Sequence, residues 1–287
     1  MTEAAPSGTT RKAGGVELTL QEDQTARIRE WAGAERLLIA LDFDGTLAPF
    51  RDDPMAVSIV AGGAEVLAGL AALERVQLAL VSGRRLADLA ALAAPPPGTL
   101  LAGSHGAERG HVSPSGELEV EAGGATEAEL ALLAELTASL ESIVASAPGS
   151  WVEHKTFGRV LHTRKAEPED AERATEEALT GPGSLPGVHT IHGKRVVEIA
   201  VRSVTKADAV AAMRAQVADA SGVGVDRVAV LFAGDDTTDE FALASLVAGD
   251  LGVKVGEGES AASLRVADEA AMVTLLGEVL RALRASA

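Results

Sequence analysis

The run Leu37-Leu38-Ile39-Ala40-Leu41 stops abruptly at Asp42-Phe43-Asp44-Gly45-Thr46-Leu47. Five apolar residues with no polar alternation describe a strand buried on both faces, and such strands belong to parallel sheets covered by helices on both sides. Two further apolar runs end the same way: Val76–Val81 in Ser82-Gly83-Arg84, and Val228–Ala233 in Gly234-Asp235-Asp236. Between the first two lies Gly62–Glu74, with Val66, Leu67, Leu70 and Leu73 at helical spacing. Strand, helix, strand in that order predicts a Rossmann-like, doubly wound α/β core with a parallel sheet.

The rest of the chain divides by texture. The spacing predicts helices over 21–34, 86–93, 206–220 and 275–285, and short strands at 99–102, 251–255 and 272–273. From Ala107 to Arg202, helices alternate with short, charge-bearing strands, such as Trp151–Lys155 and Arg159–Arg164 around the turn Thr156-Phe157-Gly158. Thr126 followed by Glu129 is a capping box. These features predict a flexible tail over residues 1–20, a core over 21–106 and 203–287, and an inserted α+β cap over 107–202.

The 287 residues carry a net charge of −17, which argues against a nucleic-acid or anionic-membrane partner. There is no Cys, which excludes thiolate metal sites, and no apolar run of membrane-spanning length. The first residues lack the basic-then-apolar plan of a signal peptide. The expectation is a cytoplasmic monomer with a small-molecule ligand.

In a parallel sheet the three polar strand ends share one edge, where ligands bind. Asp42, Asp44, Asp235 and Asp236 would crowd that edge, and crowded carboxylates call for a cation. Hard oxygen ligands without Cys favour Mg²⁺. Asp42 suits nucleophilic attack on phosphorus, and Asp44 suits proton transfer to the leaving oxygen. Lys206, opening a helix, suits charge neutralisation, and Ser82 suits donation to a phosphate oxygen. An Asp-Gly pair alone is an ordinary turn and a lone Lys an ordinary surface residue; the conjunction on three apolar strands carries the chemistry.

Those residues resemble the four motifs of the haloacid dehalogenase superfamily: Asp42–Leu47, Ser82, Lys206 and Gly234–Glu240. Within it the chain is similar to the trehalose-6-phosphate phosphatase family, through Ser82-Gly83-Arg84, Gly103-Ser104-His105-Gly106, Glu153-His154-Lys155, His162-Thr163-Arg164 and Gly193–Glu198. The resemblance implies Mg²⁺ held by Asp42, the main chain at Asp44, and Asp235 with Asp236 adjoining. It implies substrate contacts from Arg84, His105, Glu153, Lys155, Arg164 and Glu198. It also implies hydrolysis of trehalose 6-phosphate through an aspartyl-phosphate, the last step of trehalose biosynthesis, with functional coupling to a trehalose-6-phosphate synthase. Other cap-bearing phosphatases, for sucrose 6-phosphate or mannosyl-3-phosphoglycerate, stay open from the residues alone, as does a non-catalytic sugar-phosphate sensor. Two departures from the family pattern are Ala207 after Lys206, and Thr163 where an aromatic residue is common.

Overall fold

The computed structural model describes residues 9–13, 16–20, 22–121 and 123–285. It divides into two compact units, Met1–Glu121 with Thr205–Ala287, and Ala122–Val204. The first unit begins with β1 (Thr9–Ala13) and β2 (Val16–Leu20), paired antiparallel. A flexible tail was expected over 1–20; residues 1–8, 14 and 15 lie outside the described residues, and the remainder is this hairpin.

The core follows as α1 (Glu22–Ala32), β3 (Arg36–Leu41), α2 (Gly63–Ala71), β4 (Val76–Val81), α3 (Leu86–Ala93) and β5 (Leu100–Gly103). Next come β6 (Glu108–Val112), which pairs antiparallel with β5, and β7 (Leu118–Val120), which pairs antiparallel with β6. This corrects the expected boundary at Ala107. A strand at the sheet's edge alternates charged and apolar residues much as the strands of the inserted unit do, so texture alone misplaced the junction.

The second unit holds α4 (Glu127–Ala145), β8 (Trp151–Lys155), β9 (Gly158–His162), α5 (Pro168–Thr180), β10 (His189–Gly193) and β11 (Val196–Ala200). Its four strands form an antiparallel sheet in the order β10, β11, β9, β8. Leu133, Leu136, Leu140 and Ile143 of α4 and Ala171, Ala174 and Ala178 of α5 are its buried helical stripes. The capping box of α4 forms as expected, with Thr126 Oγ1 accepting from Glu129 N at 3.2 Å and Glu129 Oε2 accepting from Thr126 N at 2.7 Å.

The chain then returns to the first unit through α6 (Lys206–Ser221), β12 (Val228–Gly234), α7 (Thr237–Ser245), β13 (Leu251–Val255), β14 (Leu264–Val266) and α8 (Glu269–Ala285). The expected strand at Met272–Val273 lies inside α8. Residues Ala271 to Leu276 are all buried there, so the run lacks the periodicity that marks a helix. The eight-stranded sheet runs β14, β13, β12, β3, β4, β5, β6, β7, parallel from β14 to β5.

Side chains alternate across a strand. Leu37, Ile39 and Leu41 enter one apolar cluster, with Trp31 of α1, Leu67 and Leu70 of α2, and Leu276 and Val279 of α8. Leu38 and Ala40 enter the other, with Val210 and Met213 of α6 and Leu243 of α7. The core is therefore helix, sheet, helix. Strand order runs outward from β3 to β4 and β5, then restarts on the opposite side with β12. The reversal makes the carboxyl ends of β3 and β12 the topological switch point, where open α/β sheets bind ligands.

Candidate active site

The alternation that sorts Leu38 and Ala40 toward α6 also sends Asp42 that way. Asp42 is 3% exposed, and its N–H continues the ladder to Ala233 O at 2.9 Å. Lys206 opens α6, behind the N-cap Thr205, so its side chain reaches back over the sheet edge. Its Nζ donates to Asp42 Oδ1 at 2.6 Å and to Asp239 Oδ1 at 2.7 Å. Thr46 Oγ1 donates to Asp42 Oδ2 at 3.3 Å. The following residue, Phe43, turns into the opposite apolar cluster and anchors a tight turn by accepting from Leu47 N and Ala48 N at 2.9 and 3.0 Å.

Asp235 closes the site from β12. One carboxylate oxygen each from Asp42, Asp235 and Asp239 lies within 4.8 Å of the other two. The approach requires Gly45, whose φ is +72°, and where a Cβ would stand 2.2 Å from Asp235 Oδ2. Asp235 Oδ1 is buried and has no hydrogen-bond partner. A buried carboxylate oxygen left unpartnered beside two more carboxylates suits a hard cation, so the residues present fit a metal.

The expected ligand Asp236 is corrected by the structure. Its side chain is exposed and caps α7, accepting from Thr237 N at 2.6 Å. Neighbouring residues at a strand end point opposite ways, so Asp235 and Asp236 cannot both face Asp42. The third carboxylate is Asp239, at the third position of α7, wholly buried. Its Oδ1 is bonded to Lys206, and its Oδ2 accepts from the N–H groups of Asp235 and Asp236 at 3.1 and 3.0 Å. With Asp239 so engaged, Asp42 and Asp235 are the side chains placed to hold a metal ion.

Burial pushes the Asp42 carboxyl up, to about 8, against the attraction of Lys206 and with added repulsion from Asp239 and Asp235. Burial also pushes Asp235 up, to about 6, with repulsion from Asp239 and Asp236. For Lys206, burial works to lower its pKa, but Asp42 and Asp239 together outweigh it and hold the ammonium above its ordinary value.

At the end of β4, Ser82 is 1% exposed and its Oγ accepts from Arg84 N at 3.2 Å. Arg84 grips Asp44 through two parallel bonds, Nε to Oδ2 at 2.6 Å and Nη2 to Oδ1 at 2.7 Å, and donates to Pro54 O. The hydrogen bond to the Asp44 carboxylate, though opposed by burial, raises the Arg84 pKa. His105 has φ +58° and donates its N–H to Ser82 O at 2.9 Å. A Cβ at Gly83 would come within 2.8 Å of the His105 Nε2, so that glycine makes room for the ring. Asp42, Asp44, Ser82, Arg84, His105, Lys206 and Asp235 thus share the carboxyl edge of one sheet.

In the second unit, Arg159 donates to Thr137 of α4 at 2.7 Å, which identifies the helix-covered face of the sheet. His154 is paired with Arg159 and shares that face, so Trp151, Glu153 and Lys155 lie on the other. The register adds His162 and Glu198 to that face. Lys155 stands opposite Gly158, and with no side chain between, its Nζ crosses β9 to Glu198, at 2.9 and 2.8 Å from the two oxygens. Glu153 Oε2 is 2.8 Å from His162 Nε2. The rings of Trp151 and His162 stack at 4.7 Å, and the Arg164 guanidinium lies 5.0 Å from the Trp151 ring centre. The four expected substrate residues of this unit therefore fall in two linked groups, Lys155 with Glu198, and Glu153 with Arg164 through His162 and Trp151. Trp151 was not singled out in the sequence, although its position two residues before Glu153 signals the same face.

A parallel α/β sheet with paired aspartates at the central strand end, an opposing lysine and a buried carboxylate pair defines a phosphohydrolase of haloacid dehalogenase-like fold. A family model described as trehalose-phosphatase matches residues 40–268, and the chain belongs to that family of phosphatases. It is 34% identical over 232 residues to the trehalose-6-phosphate phosphatase of Escherichia coli (strain K12), covering 79% of this chain and 80% of that one. It is 31% identical over 253 residues to a bifunctional trehalose-6-phosphate synthase/phosphatase of Thermoproteus tenax, covering 87% of this chain and 33% of that one. An uncharacterized glycosyl hydrolase of Mycobacterium tuberculosis (strain CDC 1551 / Oshkosh) is 32% identical over 247 residues, of which this chain spans 18%. The solved trehalose-6-phosphate phosphatase of Aspergillus fumigatus, crystal form 3, shares the fold with a TM-score of 0.66 at 24% identity, over 90% of this chain and 97% of that one. Among the described residues no helix is long and apolar enough to cross a membrane.

Proposed function

We propose that this phosphatase hydrolyses trehalose 6-phosphate to trehalose and phosphate through an aspartyl-phosphate on Asp42. The observation that carries the reading is Asp42 itself, buried at the switch point, bonded to Lys206 and facing the unpartnered oxygen of Asp235. Asp42, the Asp44 main chain and Asp235 would hold Mg²⁺, which would supply positive charge to the phosphoryl oxygens. Against the burial that raises the Asp42 pKa, Lys206 favours the ionised form that attack requires, and a bound cation would favour it further. An Asp42 oxygen bonds to phosphorus while the bond from phosphorus to the sugar oxygen breaks, and Asp44 gives that oxygen its proton. Asp44 then takes a proton from water as the water oxygen attacks phosphorus, and the bond to Asp42 breaks. Asp44 enters this cycle only after exchanging Arg84 for the reacting oxygen, because both of its oxygens are bonded to the guanidinium at rest. The freed Arg84, with Ser82 and His105, is then available to the phosphate.

The face of the second unit's sheet turned away from α4 supports sugar recognition. Lys155 and Arg164 donate, and Glu153 and Glu198 accept, which is the chemistry that reads hydroxyl groups. The similarity to the Escherichia coli enzyme favours trehalose 6-phosphate over sucrose 6-phosphate or a mannosyl phosphoglycerate. The Thermoproteus tenax relative carries synthase and phosphatase in one name, which supports functional coupling to a synthase.

Phosphate release measured from trehalose 6-phosphate, sucrose 6-phosphate and glucose 6-phosphate, with and without Mg²⁺, tests the reading. The disaccharide of glucose should lead in kcat/KM, and Asp42→Asn should abolish release. Equal rates on all three would overturn the substrate, and Mg²⁺-dependent release by Asp42→Asn would overturn the nucleophile.

A further inference from the structure

Lys254 is 5% exposed, and no step above uses it. It sits on β13, whose five residues are all buried, one strand outward from β12. Burying an ammonium is expensive unless good partners hold it, and an apolar residue in this strand would serve the core better. Its partners are specific. Nζ donates to the main-chain carbonyl of Asp235 and stands 3.7 Å from Glu240 Oε1 on α7. The other Glu240 oxygen accepts from Ala261 N at 2.9 Å.

The consequence falls on Asp235. Its N–H is bonded to Asp239 Oδ2 and its carbonyl to Lys254, so both main-chain polar groups are pinned. Its carboxylate Oδ1 has no hydrogen-bond partner. A fixed backbone carrying a carboxylate with one unpartnered oxygen is a preorganised ligand, and groups one bond removed from a metal commonly set its affinity. We propose that Lys254 is a positioning residue for the cation site, fixing the Asp235 backbone so that its carboxylate meets Asp42. The inference rests on the cation-dependent reading of that site.

The sign of the effect separates positioning from simple electrostatics. Deleting a positive charge beside a cation site strengthens cation binding, whereas losing the placement of Asp235 weakens it. Mg²⁺ is titrated by calorimetry into the metal-stripped full chain as wild type, Lys254→Met and Lys254→Gln. Lys254→Met should bind Mg²⁺ about tenfold more weakly, in the range found for lost supporting contacts. Lys254→Gln, which keeps a donor for the Asp235 carbonyl, should recover part of that loss, and it reads the effect if the methionine variant does not fold. The apparent Mg²⁺ constant in phosphate release should rise in parallel while KM for trehalose 6-phosphate stays within about twofold. Unchanged or tighter Mg²⁺ binding by a folded variant overturns the inference alone. A wild type that takes up no Mg²⁺ overturns the cation reading as well.

Discussion

Asp42 and Asp235 are carboxyl groups whose pKa values lie far above the ordinary 3.8, at about 8 and about 6. A raised folded-state value means that the group stabilises the fold below its unfolded value and that this contribution is lost as pH rises through the folded one. Without a divalent cation, stability should therefore fall from about pH 4, where both carboxyls ionise in the unfolded chain, with the Asp235 contribution lost by about pH 6 and the Asp42 contribution by about pH 8. A cation needs the ionised forms, so its affinity runs the other way. Adding Mg²⁺ should raise Tm more at pH 8 than at pH 6, which thermal unfolding with and without the ion will read. An equal increment at both values would remove these carboxyls from the binding site. At this scale the sequence was informative for residues at strand ends, where the residue type and an apolar run behind it suffice. It was silent on Asp239, whose contribution comes from a helical position four residues after Asp235 rather than from a strand end. The same gap led to Asp236, adjacent in sequence but turned outward by the pleat.

At the scale of elements, α4 shows how one glutamate can serve a helix end and a loop together. Glu129 completes the capping box with Thr126 and also accepts from Arg202 Nε at 2.6 Å, while Arg202 donates to the carbonyls of Gly123 and Gly124. The Arg202 hydrogen bond foremost, and then the Thr126 N–H, hold the Glu129 carboxyl down at about 2 against an ordinary 4.5. A depressed value stabilises the fold above the unfolded pKa and loses that contribution as pH falls through the folded one. Glu129→Gln should therefore be less stable than wild type by a constant amount above pH 5, and the difference should vanish toward pH 2. Urea midpoints across that range give the measurement, and a difference that persists at pH 2 would assign the effect to packing instead. The capping box was legible because its four-residue pattern is local. The addition of β6 to β5 and of β7 to β6 was not, since nothing in a charged edge strand names the sheet it joins. The start of α8 was hidden for the opposite reason, its first turns being buried all round.

On the proposed reading the two units divide the labour by residue type. Asp42, Asp44, Ser82, Lys206 and Asp235 all belong to Met1–Glu121 and Thr205–Ala287, while Glu153, Lys155, Arg164 and Glu198 belong to Ala122–Val204. Phosphoryl transfer needs the first set whatever the leaving group, and a sugar needs the second only to be recognised. Binding energy from groups remote from phosphorus acts on kcat/KM for substrates that reach them and on nothing else. Lys155→Ala removes the donor and strands Glu198, whose partner at 2.8 Å is this ammonium. With Arg164→Ala it should lower kcat/KM for trehalose 6-phosphate by at least about 10²-fold, since each charge-assisted hydrogen bond lost at a polar site costs about 1.5–3 kcal/mol. Hydrolysis of a small aryl phosphate, which offers no hydroxyl groups to the second unit, should stay within about threefold of wild type. Parallel kinetics on the two substrates make the comparison. An equal loss on both would place these residues in the chemistry, and no loss on either would return Lys155 and Glu198 to the role of a cross-strand ion pair holding the sheet.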